Sequence, residues 1–145
     1  MAERLLRLLP ALWAGLLLTI AIVAAPAAFA ALPGADAGRV VGRMFIQEAW
    51  ASLVLAALLL FLLRACDGQA RSGLVPLLGG TVVCTLLGYF AVQPLMTAAR
   101  AGQGVLSFGQ LHLISTIFFG LKTLMVLGLA WRVAAPDAFS RRSSS

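Results

Sequence analysis

Three ionisable side chains stand inside long apolar stretches of the sequence: Glu48, His112 and Lys122. Titratable groups cost free energy inside a lipid bilayer, so those that occur there are candidates for a functional role. A carboxylate can accept a proton or pair with a cation, an imidazole can bind a metal or haem iron, and an ammonium can pair with an anion. The chemistry that these residues predict is ligand or proton binding. The sequence shows no nucleophile–base pair, and we assign no catalytic residues.

Membrane helices must position these side chains. The chain has 145 residues, of which 61% are hydrophobic and 11% are charged, whereas an ordinary globular domain has about 25% charged residues. A soluble domain of this length cannot bury so much apolar surface, and the same composition excludes intrinsic disorder. The sequence predicts an all-α integral membrane four-helix bundle in a single transmembrane domain. The predicted spans are about 8–32, 44–63, 74–96 and 107–131, and a polar tail covers 132–145.

The arginines beside the predicted spans indicate the orientation, because basic residues accumulate in cytoplasmic loops. One side would carry Arg4, Arg7, Arg64, Arg71, Arg132, Arg141 and Arg142, and the other would carry Arg39, Arg43 and Arg100. Both termini are therefore expected in the cytoplasm. The net charge of +6 is then mainly an insertion signal, so the lipid bilayer is the expected partner and nucleic acid is not. A chain rich in Arg, Ala and Leu is typical of a GC-rich genome, which indicates a bacterial inner membrane.

The N-terminal segment has a second interpretation. Arg4 and Arg7, the apolar run 8–24 and the triplet Ala28-Phe29-Ala30 resemble a secretory signal with its cleavage site. The apolar stretch is longer than the usual hydrophobic region of such signals, and its loss would leave three spans. We therefore expect a membrane span here, with cleavage after residue 30 as the alternative.

Polar side chains gather at the external side of the predicted bundle, and this asymmetry predicts a ligand-binding pocket there. Its expected members are Glu48, His112, Gln93, Gln110, Arg43 and Ser115. His112 is the candidate metal ligand, although no His, Cys and Met cluster with metal-binding spacing accompanies it.

Each ionisable residue also has a purely structural interpretation. Glu48 would then be the salt partner of Arg43 or Arg100 rather than a proton acceptor. His112 would hydrogen-bond Glu48 or a backbone carbonyl and tie the last helix to the second. Lys122 would reach toward the membrane surface or face the interior of the bundle.

Small residues repeat at four-residue spacing on two of the predicted helices. Gly15 and Thr19 form such a stripe on the first helix, and Gly80, Cys84 and Gly88 form one on the third. Stripes of this kind let helices approach closely within a membrane. We expect these residues to pack the bundle, and the stripes would also permit a homo-oligomer or a complex with a membrane partner.

Three motifs resemble those of a known family. They are F-x-x-L-P-x4-G-x-V-x3-M-F at 29–45, Q-P at 93–94 and F-x3-H-x2-S at 108–115. On these residues the chain resembles the TMEM205-like (DUF4149) family of small four-span membrane proteins, over most of 8–129. The resemblance implies four spans and no established molecular activity.

A more distant similarity concerns four-span copper-resistance proteins and haem-binding oxidases. It implies haem or a metal ion as cofactor. Those proteins use several membrane histidines, whereas this chain has one, so the identity of a cofactor stays unknown.

The sequence thus predicts a polytopic inner-membrane protein of unknown molecular function, whose external pocket binds a metal, a haem-like ligand or a small solute. The alternative is a structural or accessory membrane subunit whose polar residues only pack the bundle. An enzyme acting on a membrane substrate is less expected than either.

Overall fold

A computed structural model describes residues 1–65 and 73–134, which form four long helices. We number them α1 (Ala2–Ala31), α2 (Gly34–Ala65), α3 (Val75–Arg100) and α4 (Phe108–Ala134). Each of the four predicted spans overlaps one of these helices. The predicted polar tail covers 132–145. Its part from residue 135 onward lies outside the described residues.

All four helices are long and apolar enough to cross a membrane. Large apolar side chains project from the outer surface of the bundle, among them Leu12, Val54, Phe61 and Leu124, each more than 60% exposed. In water such a surface would be unfavourable, whereas in lipid it needs no cover. The described residues contain no strand. The predicted all-α class with four membrane-spanning helices is therefore confirmed.

A tight corner separates α1 from α2. Leu32 is extended (φ −124°, ψ 152°), as expected for a residue that precedes proline. The carbonyl of Pro33 then accepts the backbone N–H groups of Asp36 and Ala37, both at 2.9 Å, and so starts the next helix. Because α2 begins at Gly34 rather than near residue 44, it is longer than the predicted span.

Helices α1 and α3 each contain a widened π-helical segment shortly before a proline. The first segment, Thr19–Ala24, precedes Pro26, and the second, Leu86–Ala91, precedes Pro94. Proline lacks the backbone N–H, and its ring crowds the carbonyl four residues earlier, so the regular α-helical hydrogen bond is lost there. A local π-turn accommodates the proline without ending the helix.

The helices pack in a ring in chain order, with α1 against α2 and α4, and α3 against α2 and α4. Helices α2 and α4 therefore face each other across a diagonal. We call the end of the bundle at 32–33 and 101–107 the cavity end. The opposite half carries the main apolar core, which includes Leu6, Trp13, Leu17, Ala56, Leu59, Leu62, Leu78, Val126 and Leu129.

Candidate functional site

A buried ion pair joins α2 to α4 across the diagonal. The ammonium Nζ of Lys122 lies 2.7 Å from Oε1 and 2.9 Å from Oε2 of Glu48. Only 4% of the Lys122 side chain and 2% of the Glu48 side chain is exposed. Glu48 lies fourteen residues after Gly34, and Lys122 lies fourteen residues after Phe108. Both charges are therefore about 21 Å along their helices, close to the middle of the bundle.

The ion pair is extended by hydrogen bonds to α1. The hydroxyl of Ser52, one helical turn after Glu48, donates to Glu48 Oε1. The indole Nε1 of Trp13 donates to the Ser52 oxygen at 3.0 Å. Trp13 and Ser52 are each 1% exposed. Three helices are thus connected through one continuous chain of buried polar groups.

This geometry corrects the expected partner of Glu48. The carboxylate pairs with Lys122 and not with Arg43 or Arg100. The expectation placed Glu48 in the first turns of a short helix, where external arginines could reach it. In the structure α2 begins ten residues earlier, and Glu48 lies near the middle of the bundle, where Lys122 neutralises its charge.

Next to the ion pair lies a cavity of about 420 Å³, which extends between the helices toward the cavity end. All four helices line it, with both π-helical segments among its walls. Its inner part includes Glu48, Lys122 and Cys84. Most of the remaining wall is apolar or aromatic and includes Ala21, Ala25, Phe29, Gly42, Phe45, Tyr89, Met96 and Phe119. The cavity volume falls in the range of small-molecule sites, about 300–1,000 Å³.

The mouth of the cavity carries a cationic and aromatic group of side chains. The guanidinium carbon of Arg100 lies over the ring of Phe108, 4.4 Å from its centroid. The imidazole of His112 stacks on the same ring, with the centroids 5.9 Å apart and the planes 14° apart. All three residues line the cavity. Among the described residues, no hydrogen bond joins the His112 imidazole to another side chain or carbonyl, so the structural bond expected for it is not formed.

The structure brings four of the six predicted pocket residues to the cavity: Glu48, Gln93, His112 and Ser115. The hydroxyl of Ser115 donates to the backbone carbonyl of Gly88 at 2.7 Å, within the second π-helical segment. This bond connects α4 to α3.

The other two predicted pocket residues lie elsewhere. Gln110 belongs to a capping box at the start of α4, where its Oε1 accepts the backbone N–H of Ser107 at 2.9 Å and Ser107 Oγ accepts the N–H of Gln110 at 3.3 Å. Arg43 is exposed and is not part of the cavity wall. The spacing S-x-x-Q at 107–110 is a sequence signal for this cap.

The small residues of α3 face α4. A methyl group added to Gly88 would lie 2.3 Å from Cβ of Phe118, and one added to Gly80 would lie 2.6 Å from the sulfur of Met125. Cys84, between them, is buried. On α1, by contrast, Gly15 and Thr19 are exposed, and a methyl group on Gly15 would meet no atom of the described chain within 4 Å. The close approach expected at Gly15 is therefore not made within the described part of the chain.

The donor set at the mouth does not fit a metal or haem centre held by several side chains. His112 supplies one imidazole, and the cation Arg100 contacts the same Phe108 ring. The carboxylate of Glu48 is already bonded to Lys122 and Ser52. The described residues contain no group of three or more His, Cys, Asp and Glu side chains that could bind a metal ion. Metal binding through His112 stays a prediction based on a single ligand.

Trp13 and Ser52 are parts of the site that the sequence did not indicate. Ser52 lies four residues after Glu48 and so shares its helix face, which is a usable signal. Trp13 has no such signal, because nothing in the sequence shows which side of α1 meets α2. Glu48 and Lys122 were not paired from the sequence, although the opposite charges of these two residues within apolar segments are a usable signal.

Four long apolar helices that pack as a bundle around a mainly apolar cavity define a multi-pass membrane protein. The chain belongs to the family described as Domain of unknown function (DUF4149), whose model matches residues 8–104. This match confirms the family that the sequence motifs indicated. No curated protein and no solved structure matches the chain.

Proposed function

We propose that this protein binds a small, mainly apolar molecule in the cavity of its bundle. The observation that carries the proposal is the cavity itself, about 420 Å³ between four helices that are otherwise closely packed in their opposite half. Membrane helices normally bury side chains against each other or expose them to lipid. The cavity at this end of the bundle, lined by all four helices, is thus a feature that packing of the helices alone does not require.

The walls of the cavity support an apolar ligand. Aromatic side chains from all four helices contribute, including Phe29, Phe45, Tyr89 and Phe119. Phe45 and Phe119 contact each other edge to face, with ring centroids 5.2 Å apart, and the ammonium of Lys122 lies 5.0 Å from the Phe119 ring. The charged groups lie at the two ends of the cavity, Arg100 at the mouth and the pair of Glu48 and Lys122 at the floor, where they would fix the orientation of a bound molecule.

A second candidate is a structural or accessory membrane subunit. It is favoured by the chain of bonds from Trp13 through Ser52 and Glu48 to Lys122, because a fully bonded ion pair has no free group for a ligand. Under this candidate the cavity would be filled by lipid without affinity for any particular molecule.

Filling the cavity distinguishes these two candidates. Gly42 lines the cavity, and a methyl group added there meets no atom of the described chain within 4 Å. Gly42→Leu therefore places a side chain in the cavity, and its Cβ atom does not clash with the described chain. Gly120 is the matched control, because it has the same free space and lies outside the cavity wall.

The measurement is equilibrium binding of radiolabelled dodecanol to the protein in lipid nanodiscs, corrected with empty nanodiscs. We expect saturable binding to the unmodified protein and to Gly120→Leu, and at least tenfold weaker binding to Gly42→Leu. Equal, non-saturable uptake by all three and by empty nanodiscs would contradict the proposal and favour the structural subunit.

We further propose the cellular setting that the charge distribution supports. The protein resides in a bacterial inner membrane with both termini in the cytoplasm, and the cavity end faces outward. The exposed stripe of Gly15 and Thr19 supports a homo-oligomer or a contact with another membrane protein, because small residues permit close approach of a second helix.

A further inference from the structure

We infer that the molecule bound in the cavity is an anionic amphiphile, with its oxyanion at Arg100 and its single apolar chain directed toward Lys122. This inference rests on the proposed function, since it specifies the ligand of the same cavity. Three observations carry it: the charge balance at the cavity end, the placement of Arg100, and the shape of the cavity.

The cavity end has an excess of positive charge. Among the described residues, the carboxylates at this end and in the bundle centre are already paired, Asp36 with Arg39 and Glu48 with Lys122. Neither carboxylate contacts Arg100. The guanidinium of Arg100 therefore has no carboxylate partner within the described chain, although it lines a cavity.

Arg100 is exposed, and its contact with Phe108 places the guanidinium where an anion at the mouth of the cavity can reach it. A guanidinium over an aromatic ring is attracted by the ring face, while its five N–H donors lie in its own plane and point away from its central carbon. Carboxylate and phosphate groups accept such donors in pairs. His112, on the same ring, adds a ring nitrogen that can donate a further hydrogen bond at the mouth.

The depth and the floor of the cavity limit the rest of the ligand. His112 at the mouth and Lys122 at the floor are ten residues apart on α4, which corresponds to about 15 Å. This depth suits a single chain of dodecyl length. Because Lys122 is neutralised by Glu48, the floor carries no net charge that would attract a second anionic group.

A carboxylate and a phosphate monoester share the chemistry that Arg100 recognises, and the test separates them. Competition is measured against radiolabelled dodecanol with the protein in nanodiscs made of zwitterionic lipid. The competitors are dodecanoate, dodecyl phosphate and unlabelled dodecanol, which have the same chain and differ only in the head group. The variants are Arg100→Gln and, as the matched control, Arg43→Gln, because Arg43 is an exposed arginine of the same end outside the cavity wall.

We expect at least one anionic competitor to bind the unmodified protein about tenfold to a hundredfold more tightly than dodecanol, as for a charge-assisted hydrogen bond. Arg100→Gln should remove this preference and leave the affinity for dodecanol unchanged, whereas Arg43→Gln should retain it. Which competitor shows the preference identifies the head group as carboxylate or phosphate.

Two outcomes would overturn the inference and are distinguishable from failure of the proposed function. If dodecanol binds saturably and all three head groups bind alike, the cavity has an apolar ligand and the inference is wrong. If the preference for an anion survives Arg100→Gln, or is lost equally in Arg43→Gln, the membrane surface and not the mouth of the cavity recognises the anion. If dodecanol does not bind saturably, the proposed function itself fails.

Discussion

Glu48 and Lys122 contact each other through both carboxylate oxygens, at 2.7 and 2.9 Å, from helices that lie on opposite corners of the bundle. The two side chains thus span the centre of the molecule, where the helix backbones themselves stay apart. Ser52 adds a third bond to the same carboxylate. Because both side chains are buried, such a pair is stable only while both charges are present.

Removing one charge of this pair should therefore lower the free energy of unfolding more than removing both charges. In Glu48→Gln the Lys122 ammonium is left buried without a counter-charge, and we expect a loss of about 3–5 kcal/mol in the free energy of unfolding. The double variant Glu48→Gln with Lys122→Met should recover most of this loss, because no unpaired charge remains. Unfolding in a detergent mixture of increasing denaturing strength measures both. A double variant less stable than the single one would contradict a purely pairwise role.

The packing of α3 against α4 should be disrupted by a larger side chain at Gly88. A methyl group there would lie 2.3 Å from Cβ of Phe118, so the two helices must move apart. We expect Gly88→Ala to lower the free energy of unfolding by about 1–3 kcal/mol. Gly120→Ala is the control on the same helix pair, since its added methyl group meets no atom of the described chain within 4 Å. Equal thermal stability of the two variants would show that the contact is looser than described.

Ser115 was predicted as a ligand residue, and its bond to the carbonyl of Gly88 gives it a structural role as well. Ser115→Ala should lower the free energy of unfolding by about 0.6 kcal/mol, and at most about 1.7 kcal/mol, as measured for hydrogen bonds between membrane helices. Thr116→Val serves as control, because the Thr116 hydroxyl bonds only to the His112 carbonyl of its own helix. Weaker binding of dodecanol to Ser115→Ala at unchanged stability would instead assign Ser115 to the ligand.

The proposed orientation can be tested with fusions to alkaline phosphatase, which is active only outside the cytoplasm. A fusion after Gly102, in the loop at the cavity end, should be active, and a fusion at the C-terminus should be inactive. A green fluorescent protein at the C-terminus should fluoresce. The reverse pattern would place the cavity end in the cytoplasm and would leave the arginine distribution unexplained.

The helices of this protein could be predicted from the sequence. A long apolar segment in lipid must satisfy its own backbone hydrogen bonds, and it does so as a helix. The corner at Pro33 was also readable, since proline ends α1 and restricts Leu32. The charges within residues 34–43 predict a second span that begins only at about residue 44, although these residues belong to the same helix in the structure. This predicted boundary placed Glu48 near the end of its helix rather than near the middle of the bundle.

The site was predictable as a set of residue types but not as a set of contacts. Periodicity shows that His112, Ser115 and Lys122 share a face of α4, but it does not show which neighbour each residue meets. The contact between Arg100 and Phe108 is an example. It depends on the path of the loop that connects the end of α3 to the start of α4. The cavity likewise depends on how far apart the helices stand, and a single sequence does not record that distance.

The diagonal ion pair has a consequence for how the protein responds to an energised membrane. A charge that moves across the whole bilayer experiences about 2.3 kcal/mol per 100 mV. Glu48 and Lys122 carry opposite charges within 3 Å of each other. The energies of these two charges in the transmembrane potential therefore nearly cancel. Along a hydrocarbon core of about 30 Å, the residual effect is at most about a tenth of that energy. The energy of this buried ion pair is therefore nearly independent of the voltage across the membrane.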